Sequence, residues 1–515
     1  MDQAKKLILD VDENPKKIGD WIILAIQHVL AMFVACITVP LLVFSGPLTV
    51  ADGFANAGAK VPYININGAS LAQTMIAPTL VAAGIGTIVY ILLTKLKSPV
   101  FLASSFAYIS PMCGAVALGA VPAMMGEGGL AVAASEGATV IGYFANLWAL
   151  PIGMAMVGAL YVVIAIIIRF AGVAWLNKLL PTVVIGPVIM VIGLGLSASA
   201  VNNLVASSGS GESYNLIALL CGLIAMTVTA ICAHYGKKTL SLIPFVMGMV
   251  AGYVAAAIFT GIGYYACGNE YFHVIDFSPI INNFSTVSVR SFLDLPSFIF
   301  MPENFQAAAP LSGSQIGSIA LLFIPVSLVT ICEHIGDHKN LSGIIGRDLL
   351  TDPGLSRTLM GDGIATALSG LLCGAANTTY GENVAVVGVT KIASVRVILL
   401  ACVMTILLGF LSPIMCVVET IPTCVTGGVS LLLYGFIAAS GVKMLINEQV
   451  DMSKTKNIFV ASVILVSGIG GLILKFALPG SASAITITST AFSMILGILM
   501  NVMLREKKEV AKIEE

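Results

Sequence analysis

Long apolar stretches separated by short polar connections dominate the chain. A transmembrane helix needs about 20 apolar residues to cross the hydrocarbon layer of a bilayer. Two stretches, 99–122 and 375–389, are apolar but interrupted by polar and small residues, and we interpret them as broken spans. The pattern predicts an all-α, polytopic membrane protein with fourteen spans. The twelve continuous stretches begin near Trp21, Thr74, Trp148, Leu179, Tyr214, Leu240, Ile316, Met360, Val397, Pro422, Ile458 and Ala484.

The basic residues predict how these spans are oriented. Threading the spans alternately from a cytoplasmic N-terminus places all but three of the 25 Lys and Arg residues on the cytoplasmic side. The three exceptions are Lys60, Arg290 and Lys475. Because cytoplasmic connections carry an excess of Lys and Arg, we expect both termini in the cytoplasm. Residues 267–314 then form a long outer loop.

Short motifs recur in the same order in the two halves of the chain. With seven predicted spans in each half, the second copy enters the membrane upside down. Two inverted repeats, each with one discontinuous helix, are an architecture of secondary transporters, with the substrate site near the midplane. Irregular backbone at that depth is tolerated where it lines a cavity. The matching pairs are 27–28 with 333–334, 104–106 with 378–380, and 180–188 with 421–429.

Composition agrees with a lipid environment. Apolar residues make up 58% of the 515 residues and charged residues only 10%, and the mean hydropathy is +0.99. A soluble domain carries roughly 25% charged residues, because its surface faces water. The net charge of −1 provides no basic field for nucleic acid. We therefore expect membrane lipid around the chain and no nucleic-acid partner.

Acidic residues at membrane depth are candidate functional residues, because a carboxylate in lipid is costly. Glu333 ends one apolar stretch, and Asp337 lies four residues on, along the same face of a helix. Glu382 follows the break in the second broken span. The alternative is that these carboxylates lie in cytoplasmic loops and pair with Lys339 or Lys391. That alternative is strongest for Asp337, which is nearest the basic edge.

Two histidines raise a different possibility. His334 and His338 are four residues apart, which would suit a metal site and hence a membrane metalloenzyme. No third ligand of suitable type is evident, and the spacing is not that of HExxH. A hydrogen-bonded helix histidine is the simpler interpretation of both, and also of His28 beside Gln27 in the first span. We expect no metal.

The candidate site suits a small planar ring. A pair of carboxylates accepts hydrogen bonds from N–H groups. Backbone N–H groups at the starts of the half-helices, near Phe106 and Gly381, can donate to carbonyl oxygens. A pyrimidine such as uracil has alternating N–H and C=O groups that fit both. A carboxylate buried near a like charge also favours its protonated form, so it can carry a coupling proton. These residues permit a nucleobase but do not select one.

The stretch 377–391 resembles the signature of the nucleobase–ascorbate transporter family, also called nucleobase:cation symporter-2. In that signature a Gln, Glu or Pro precedes Asn, and a Thr followed by Arg, Lys or Gly ends the motif. Here Glu382 and Asn383 begin it, and Thr390 and Lys391 end it. The resemblance covers nearly the whole chain. Supporting stretches are 27–28, 104–107, 333–336, 347–355 and 427–435.

The resemblance implies proton-coupled uptake of a nucleobase across the bacterial cytoplasmic membrane by a homodimer, with H⁺ as coupling ion and no cofactor. It also implies short strands in broken spans 3 and 10, a core domain from spans 1–4 and 8–11, and a gate domain from spans 5–7 and 12–14. The implied boundaries are an N-terminal tail 1–18, core 19–170, gate 171–266, outer loop 267–314, core 315–418, gate 419–505 and a C-terminal tail 506–515.

The resemblance also implies roles for single residues. Glu333 and Glu382 would bind the base through their side chains, and Phe106 and Gly381 through backbone N–H groups. A Glu at the first signature position, here Glu382, is typical of the uracil branch. Glu333 would also take part in proton coupling. The supporting polar residues would be Gln27, His28, Ser105, Asn383 and Thr379.

Two positions depart from the family pattern. Ala385 stands where the signature has Gly, and Asp337 stands where the uracil branch often has His. Either Asp337 or the neighbouring His338 is then the second candidate for the proton carrier. A carrier of xanthine or another purine on the same fold is the alternative to a uracil carrier.

Overall fold

Helices account for most of the chain in the computed structural model. The structure describes residues 7–44, 48–50, 52–126, 129–132, 137–211, 213–298, 300, 310–477 and 484–504. The predicted C-terminal tail, 506–515, lies outside the described residues. So do the first six residues of the predicted N-terminal tail and residues 301–309 of the predicted outer loop.

The helices follow the predicted apolar stretches along the chain. A 3₁₀ turn, Phe106–Tyr108, leads into α4, and a π-helical turn, Thr260–Ala266, extends α10. In the first half the helices are α1 (Ile18–Phe44), α2 (Leu71–Thr74), α3 (Ile76–Leu93), α4 (Ile109–Ala117), α5 (Ala149–Ala171), α6 (Ala174–Leu179), α7 (Thr182–Gly195), α8 (Ser197–Val205), α9 (Leu216–Tyr235) and α10 (Pro244–Phe259). Then come α11 (Ser278–Ser285), α12 (Gly313–Ile345), α13 (Leu355–Leu371), α14 (Gly381–Thr390), α15 (Val395–Phe410), α16 (Ser412–Glu419), α17 (Thr423–Asn447), α18 (Thr455–Ile469) and α19 (Ser489–Met503).

Eight helical stretches in the described part of the chain are long and apolar enough to cross a membrane. They begin at Ile18, Leu71, Ala149, Thr182, Leu216, Pro244, Gly313 and Thr423, each within a few residues of a predicted start. Four further apolar helices have 10–17 residues, and α13 and α14 occupy the two remaining predicted spans. These six are short for a bilayer crossing, so the count of fourteen spans stays a prediction.

Small sheets interrupt the helical architecture. A three-stranded sheet has the order β5-β4-β6, and β1–β2, β3–β7 and β8–β9 are two-stranded. Hydropathy does not predict the β4–β6 sheet or the β8–β9 hairpin, because a short apolar strand and the end of an apolar helix look alike. The strands are β1 (Leu48–Thr49), β2 (Lys60–Val61), β3 (Leu102–Ser104), β4 (Val121–Gly126), β5 (Gly129–Val132), β6 (Gly142–Phe144), β7 (Asn377–Thr379), β8 (Leu474–Ala477) and β9 (Ala484–Ile487).

Helices from the two halves pack against each other. Helix α5 packs on α13, α3 packs on α15, and both α7 and α9 pack on α17. Glycines permit the close approach that holds such helices together in lipid. A Cβ atom built on Gly158 of α5 would lie 2.7 Å from the carbonyl oxygen of Gly363 in α13. The α5–α13 crossing therefore depends on the absence of a side chain at Gly158.

The strands β3 and β7 meet in the interior, one from each half. They are antiparallel, with Leu102 opposite Thr379 and Ser104 opposite Asn377. Side chains of neighbouring helices satisfy backbone groups of the strands: Thr87 Oγ1 accepts from the Leu102 N–H at 2.9 Å, and Thr366 Oγ1 donates to the Asn377 carbonyl at 2.6 Å. Irregular backbone is stable at this depth only with such partners. This strand pair positions the two half-helices that follow it.

Candidate functional site

The candidate site begins where the two short strands end. After β3 the chain enters the 3₁₀ turn at Phe106, and after β7 it enters α14 at Gly381. The first N–H groups of a helix have no partner within that helix. Because β3 and β7 are antiparallel and have only three residues each, the two helix starts lie at opposite ends of this short strand pair, and both line the same cavity. Two sets of backbone donors, each with the positive end of its helix dipole, are thus available there.

Helix α12 supplies two of the three predicted carboxylates. It is continuous from Gly313 to Ile345, so Glu333 and Asp337 lie within a helix and not in a loop. Asp337 Oδ2 accepts a hydrogen bond of 2.8 Å from Thr379 Oγ1 at the end of β7. Asp337 Oδ1 is also close to Gly381, where an added Cβ atom would lie 3.5 Å away. The helix face predicted from the spacing of these acids is therefore turned toward the start of α14.

One cavity brings the four predicted base-binding residues together. Glu333, Glu382, Phe106 and Gly381 all line it. Thr379 and Ser105 line it too, and the opposite wall is apolar, from Ile189 and Ile192 of α7 and Ile437 of α17. The cavity thus lies between the α12–α14 side, which is polar, and the α7–α17 side, which is apolar.

A wider cavity of about 340 Å³ continues from the first and shares Glu333, Gly381 and Glu382 with it. Asp337 lines this wider part. Its mouth is formed by Lys339 at the end of α12 and by residues of α17 that include Lys443. The charge pattern predicts that these lysines lie on the cytoplasmic side.

Two of the supporting residues contact each other behind the cavity. His28 Nδ1 and Asn383 Oδ1 are 2.9 Å apart, and both side chains are buried. Gln27 is buried as well, but none of these three lines the cavity. Gln27 Oε1 and Ser105 Oγ have no hydrogen-bond partner within the described residues. Of the two, only Ser105 is placed to contact a ligand directly.

His338 faces away from the cavity. Its Nε2 lies 2.6 Å from Tyr90 OH, and its Nδ1 lies 2.8 Å from the His334 carbonyl oxygen. The ring is fully buried and does not line the cavity. Of the two candidate proton carriers at this turn of α12, Asp337 is therefore the one in contact with the cavity.

Asp362 was not predicted. This residue of α13 is fully buried, and its Oδ2 lies 2.8 Å from His334 Nδ1 and 3.5 Å from Thr378 Oγ1. It connects α12 to β7 directly behind the site. The signal was present in the sequence, because Asp362 is an acidic residue within a predicted span. The spacing of residues along the chain does not predict that Asp362 lies next to β7.

Contacts with other protein groups also explain why His334 and His338 lie close together. The rings of His334 and His338 stack at 4.1 Å, and each has a nitrogen bonded to a neighbouring protein side chain, Asp362 or Tyr90. Within the described residues there is no group of three His, Cys, Asp or Glu that could hold a metal ion. The pair belongs to a buried hydrogen-bond network.

A multi-pass helical protein with two broken helices that start at a shared cavity is a membrane transporter in its architecture. The chain belongs to the nucleobase–ascorbate transporter family: the family profile Xan_ur_permease, described as "Permease family", matches residues 19–475. Members of this family are permeases and not enzymes. The metalloenzyme alternative is thereby excluded.

Individual relatives agree with the family assignment. The uracil permease of Bacillus caldolyticus is 36% identical over 507 residues, which are 98% of this chain and 97% of that protein. The uracil permease of Bacillus subtilis (strain 168) is 34% identical over the same shares of both chains. Among solved structures, the transmembrane domain of the cyanobacterial bicarbonate transporter BicA matches with a TM-score of 0.51 at 12% identity, covering 93% of this chain and 96% of that one. At this identity the last match shows a shared fold alone.

Proposed function

We propose that the protein takes up uracil together with protons across a bacterial cytoplasmic membrane by alternating access. The observation that carries this proposal is the single cavity lined by Glu333, Glu382, Phe106 and Gly381. Support for the substrate comes from relatives that are uracil permeases over the full length of the chain.

The base would bind edge-on to the polar wall. Its ring N–H groups donate to the carboxylates of Glu333 and Glu382, which accept hydrogen bonds when ionised. Its carbonyl oxygens accept from the backbone N–H groups of Phe106 and Gly381 at the two helix starts. The apolar wall from α7 and α17 covers the ring. A purine is larger than uracil, and the experiment below tests whether the protein takes up purines.

Glu333 and Asp337 would carry the coupling proton. They lie one turn apart on α12 and both line the cavity, where mutual repulsion and burial favour a shared proton. Asp337 is preferred over His338 because only the carboxylate reaches the cavity. Protonation of one of these two carboxyl groups would lower the negative charge of the polar wall, while the remaining carboxylates still accept hydrogen bonds from the base.

The moving parts would be a core domain that carries the polar wall and a gate domain that carries α7 and α17. The pairings of α5 with α13 and of α7 with α17 support this division, and with it fourteen spans in two inverted repeats. Lys339 and Lys443 at the mouth support a cavity that opens to the cytoplasm, with both termini on that side. A homodimer rests on the family resemblance.

Uptake of radiolabelled uracil into proteoliposomes, with and without an inward proton gradient, tests the proposal. We expect gradient-stimulated uptake that excess unlabelled uracil blocks and xanthine does not. Accumulation of xanthine in place of uracil would move the protein to the purine branch of the family. Uptake of uracil that does not respond to the gradient would remove the proton-coupled mechanism.

The variants Glu333→Gln and Glu382→Gln test the site itself. Loss of a hydrogen bond to a charged group costs about 1.5–3 kcal/mol, so we expect uptake efficiency to fall roughly ten- to hundred-fold. Glu270→Gln is the matched control, since Glu270 is exposed on the outer loop. Full gradient-driven uptake by Glu333→Gln would show that Glu333 does not have this role.

A further inference from the structure

Another cavity, of about 330 Å³, lies at the predicted cytoplasmic edge, and none of the proposed base-binding residues lines it. It is bounded by the end of α5, by α12 and by the start of α13. Most of its wall is apolar, from residues such as Ile168, Ile335 and Leu350. Arg169 and Lys339 add two cationic side chains, and no carboxylate is among its described lining residues.

Beside the cavity, α5 has an exposed apolar surface that suits acyl chains. Next to Arg169 on α5, Phe170 is 84% exposed, and Ile166 and Ile167 are exposed as well. In a spanning helix such apolar side chains face lipid. A molecule seated here would have an apolar portion along α5 and a charged portion beside Arg169 and Lys339.

The charged portion has to be an anion. Arg169 offers the planar, bidentate donor geometry that matches phosphate, and Lys339 offers a point charge. The first turn of α13 also lines the cavity, through Leu355 and Ser356, so the positive end of its helix dipole adds to this field. Basic pockets between transmembrane helices on the cytoplasmic side bind anionic lipid headgroups.

We propose that this cavity binds the phosphate group of an anionic phospholipid, with the acyl chains along the outer face of α5. Lys339 is shared with a second interaction, since its Nζ lies 3.4 Å from Glu448 Oε1 at the end of α17. The lipid site and the mouth of the substrate cavity therefore have one side chain in common. The proposal does not depend on the identity of the transported base.

Native mass spectrometry of the purified full chain tests the proposal, with phosphatidylglycerol and phosphatidylcholine that have the same acyl chains. We expect preferential binding of phosphatidylglycerol, and a fall in that binding of about five-fold in Arg169→Gln, since one basic residue contributes about that factor at an anionic surface. Arg169→Lys keeps the charge but loses the bidentate geometry, so its binding should lie between that of the parent protein and that of Arg169→Gln.

Arg396→Gln is the matched control. Arg396 is exposed at the start of α15 and does not line the cavity, so its replacement makes the same change of charge elsewhere. Equal melting temperatures for the two Gln variants show that both are folded. Equal binding of the two lipids, or equal losses in the two variants, would overturn the proposal.

A free anion is the competing source of the phosphate. Inorganic phosphate is therefore titrated in a thermal unfolding assay without added lipid. If it stabilises the parent protein but not Arg169→Gln, while the two lipids bind equally well, the cavity is an anion site and the lipid proposal is wrong. If phosphatidylglycerol binds selectively and inorganic phosphate has no effect at millimolar concentration, the lipid proposal stands.

Discussion

The hydrogen bond from Thr379 to Asp337 joins the broken span to the continuous helix α12 at a single pair of side chains. Thr379 ends β7 and lines the proposed substrate cavity, while Asp337 of α12 lines the wider cavity that continues from it. The bond holds the carboxylate next to Gly381, whose backbone is a proposed ligand of the base. Thr379 therefore acts as a positioning residue for a proposed proton carrier.

Replacing Thr379 with Val removes this bond while keeping the shape of the side chain. A hydrogen bond contributes about 1 kcal/mol, so we expect the efficiency of uracil uptake to fall roughly five-fold and its pH profile to shift. Thr379→Ser, which keeps the hydroxyl, is the control and should behave like the parent protein. An unchanged pH profile in Thr379→Val would mean that the bond does not set the state of Asp337.

Single residues also show what the sequence can and cannot predict about the site. The cost of carboxylates in lipid singled out Glu333, Asp337 and Glu382, and the structure places all three on connected cavities. The same cost applies to Asp362, but Asp362 was not among the predicted site residues. The sequence does not predict that His338 turns toward Tyr90. Helical spacing shows which residues share a face of α12, but it does not show which helix packs against that face.

At the scale of helices, close backbone contacts determine which helices pair. The hydrophobic effect does not select helix partners in a bilayer, because lipid is as apolar as the helix surface. The α5–α13 crossing is the clearest case, with Gly158 and Gly363 opposed. Both helices carry residues that line the proposed lipid cavity, and α13 also carries Asp362. A shift at this crossing would disturb both places.

The substitution Gly158→Ala tests the crossing. The added Cβ atom would lie 2.7 Å from the Gly363 carbonyl oxygen, and overpacking of this kind costs about 1–3 kcal/mol. We expect a lower melting temperature in detergent. Gly195→Ala is the control, because a Cβ at Gly195 meets nothing within 4 Å. A melting temperature for Gly158→Ala that matches the control would mean that α5 and α13 do not pack this closely.

The sequence predicts the long helices better than the short strands, because a long apolar stretch is easier to recognise than a short one. Helices such as α1 and α17 extend over 25 or more residues, so their apolar content stands out clearly. The strands β3 and β7 have three residues each, and they were expected only from the family resemblance. The β8–β9 hairpin falls where an apolar run predicted the start of a helix, because hydropathy does not distinguish the two over four residues.

The whole molecule is tied together at one end by its own N-terminal segment. Residues 7–13 belong to the predicted tail, yet Leu9 forms a parallel bridge with Ile392, and Ile8 donates to the Lys391 carbonyl at 2.8 Å. Arg347, just after α12, pairs with Asp10 at 2.6 Å and Asp12 at 3.1 Å. The segment thus links the start of α1 to the ends of the two helices that carry Glu333 and Glu382.

Arg347→Gln should loosen this segment without unfolding the protein. Partly exposed ion pairs contribute about 0–1 kcal/mol each. Arg347 makes two of them, so we expect amide hydrogen exchange at Ile8 and Leu9 to rise by up to about thirty-fold. The melting temperature should change little. Arg357→Gln is the control, because Arg357 has no ion pair within the described residues. Equal exchange in both variants would show that Arg347 does not hold the segment.

The orientation of the whole chain is open to a direct test because one cysteine is exposed. Cys267 follows α10 in the predicted outer loop, and the other nine cysteines are buried or partly buried. A membrane-impermeant maleimide should therefore label intact cells at Cys267, and Cys267→Ser should remove that label. Adding Ser453→Cys, at an exposed position between α17 and α18, should restore labelling only after the cells are permeabilised, because the charge pattern places that connection in the cytoplasm.

Labelling of Ser453→Cys in intact cells, with Cys267 protected, would show that the orientation is the reverse of the predicted one. The wide mouth at Lys339 and Lys443 would then open to the outside, and the structure would represent the opposite step of the transport cycle.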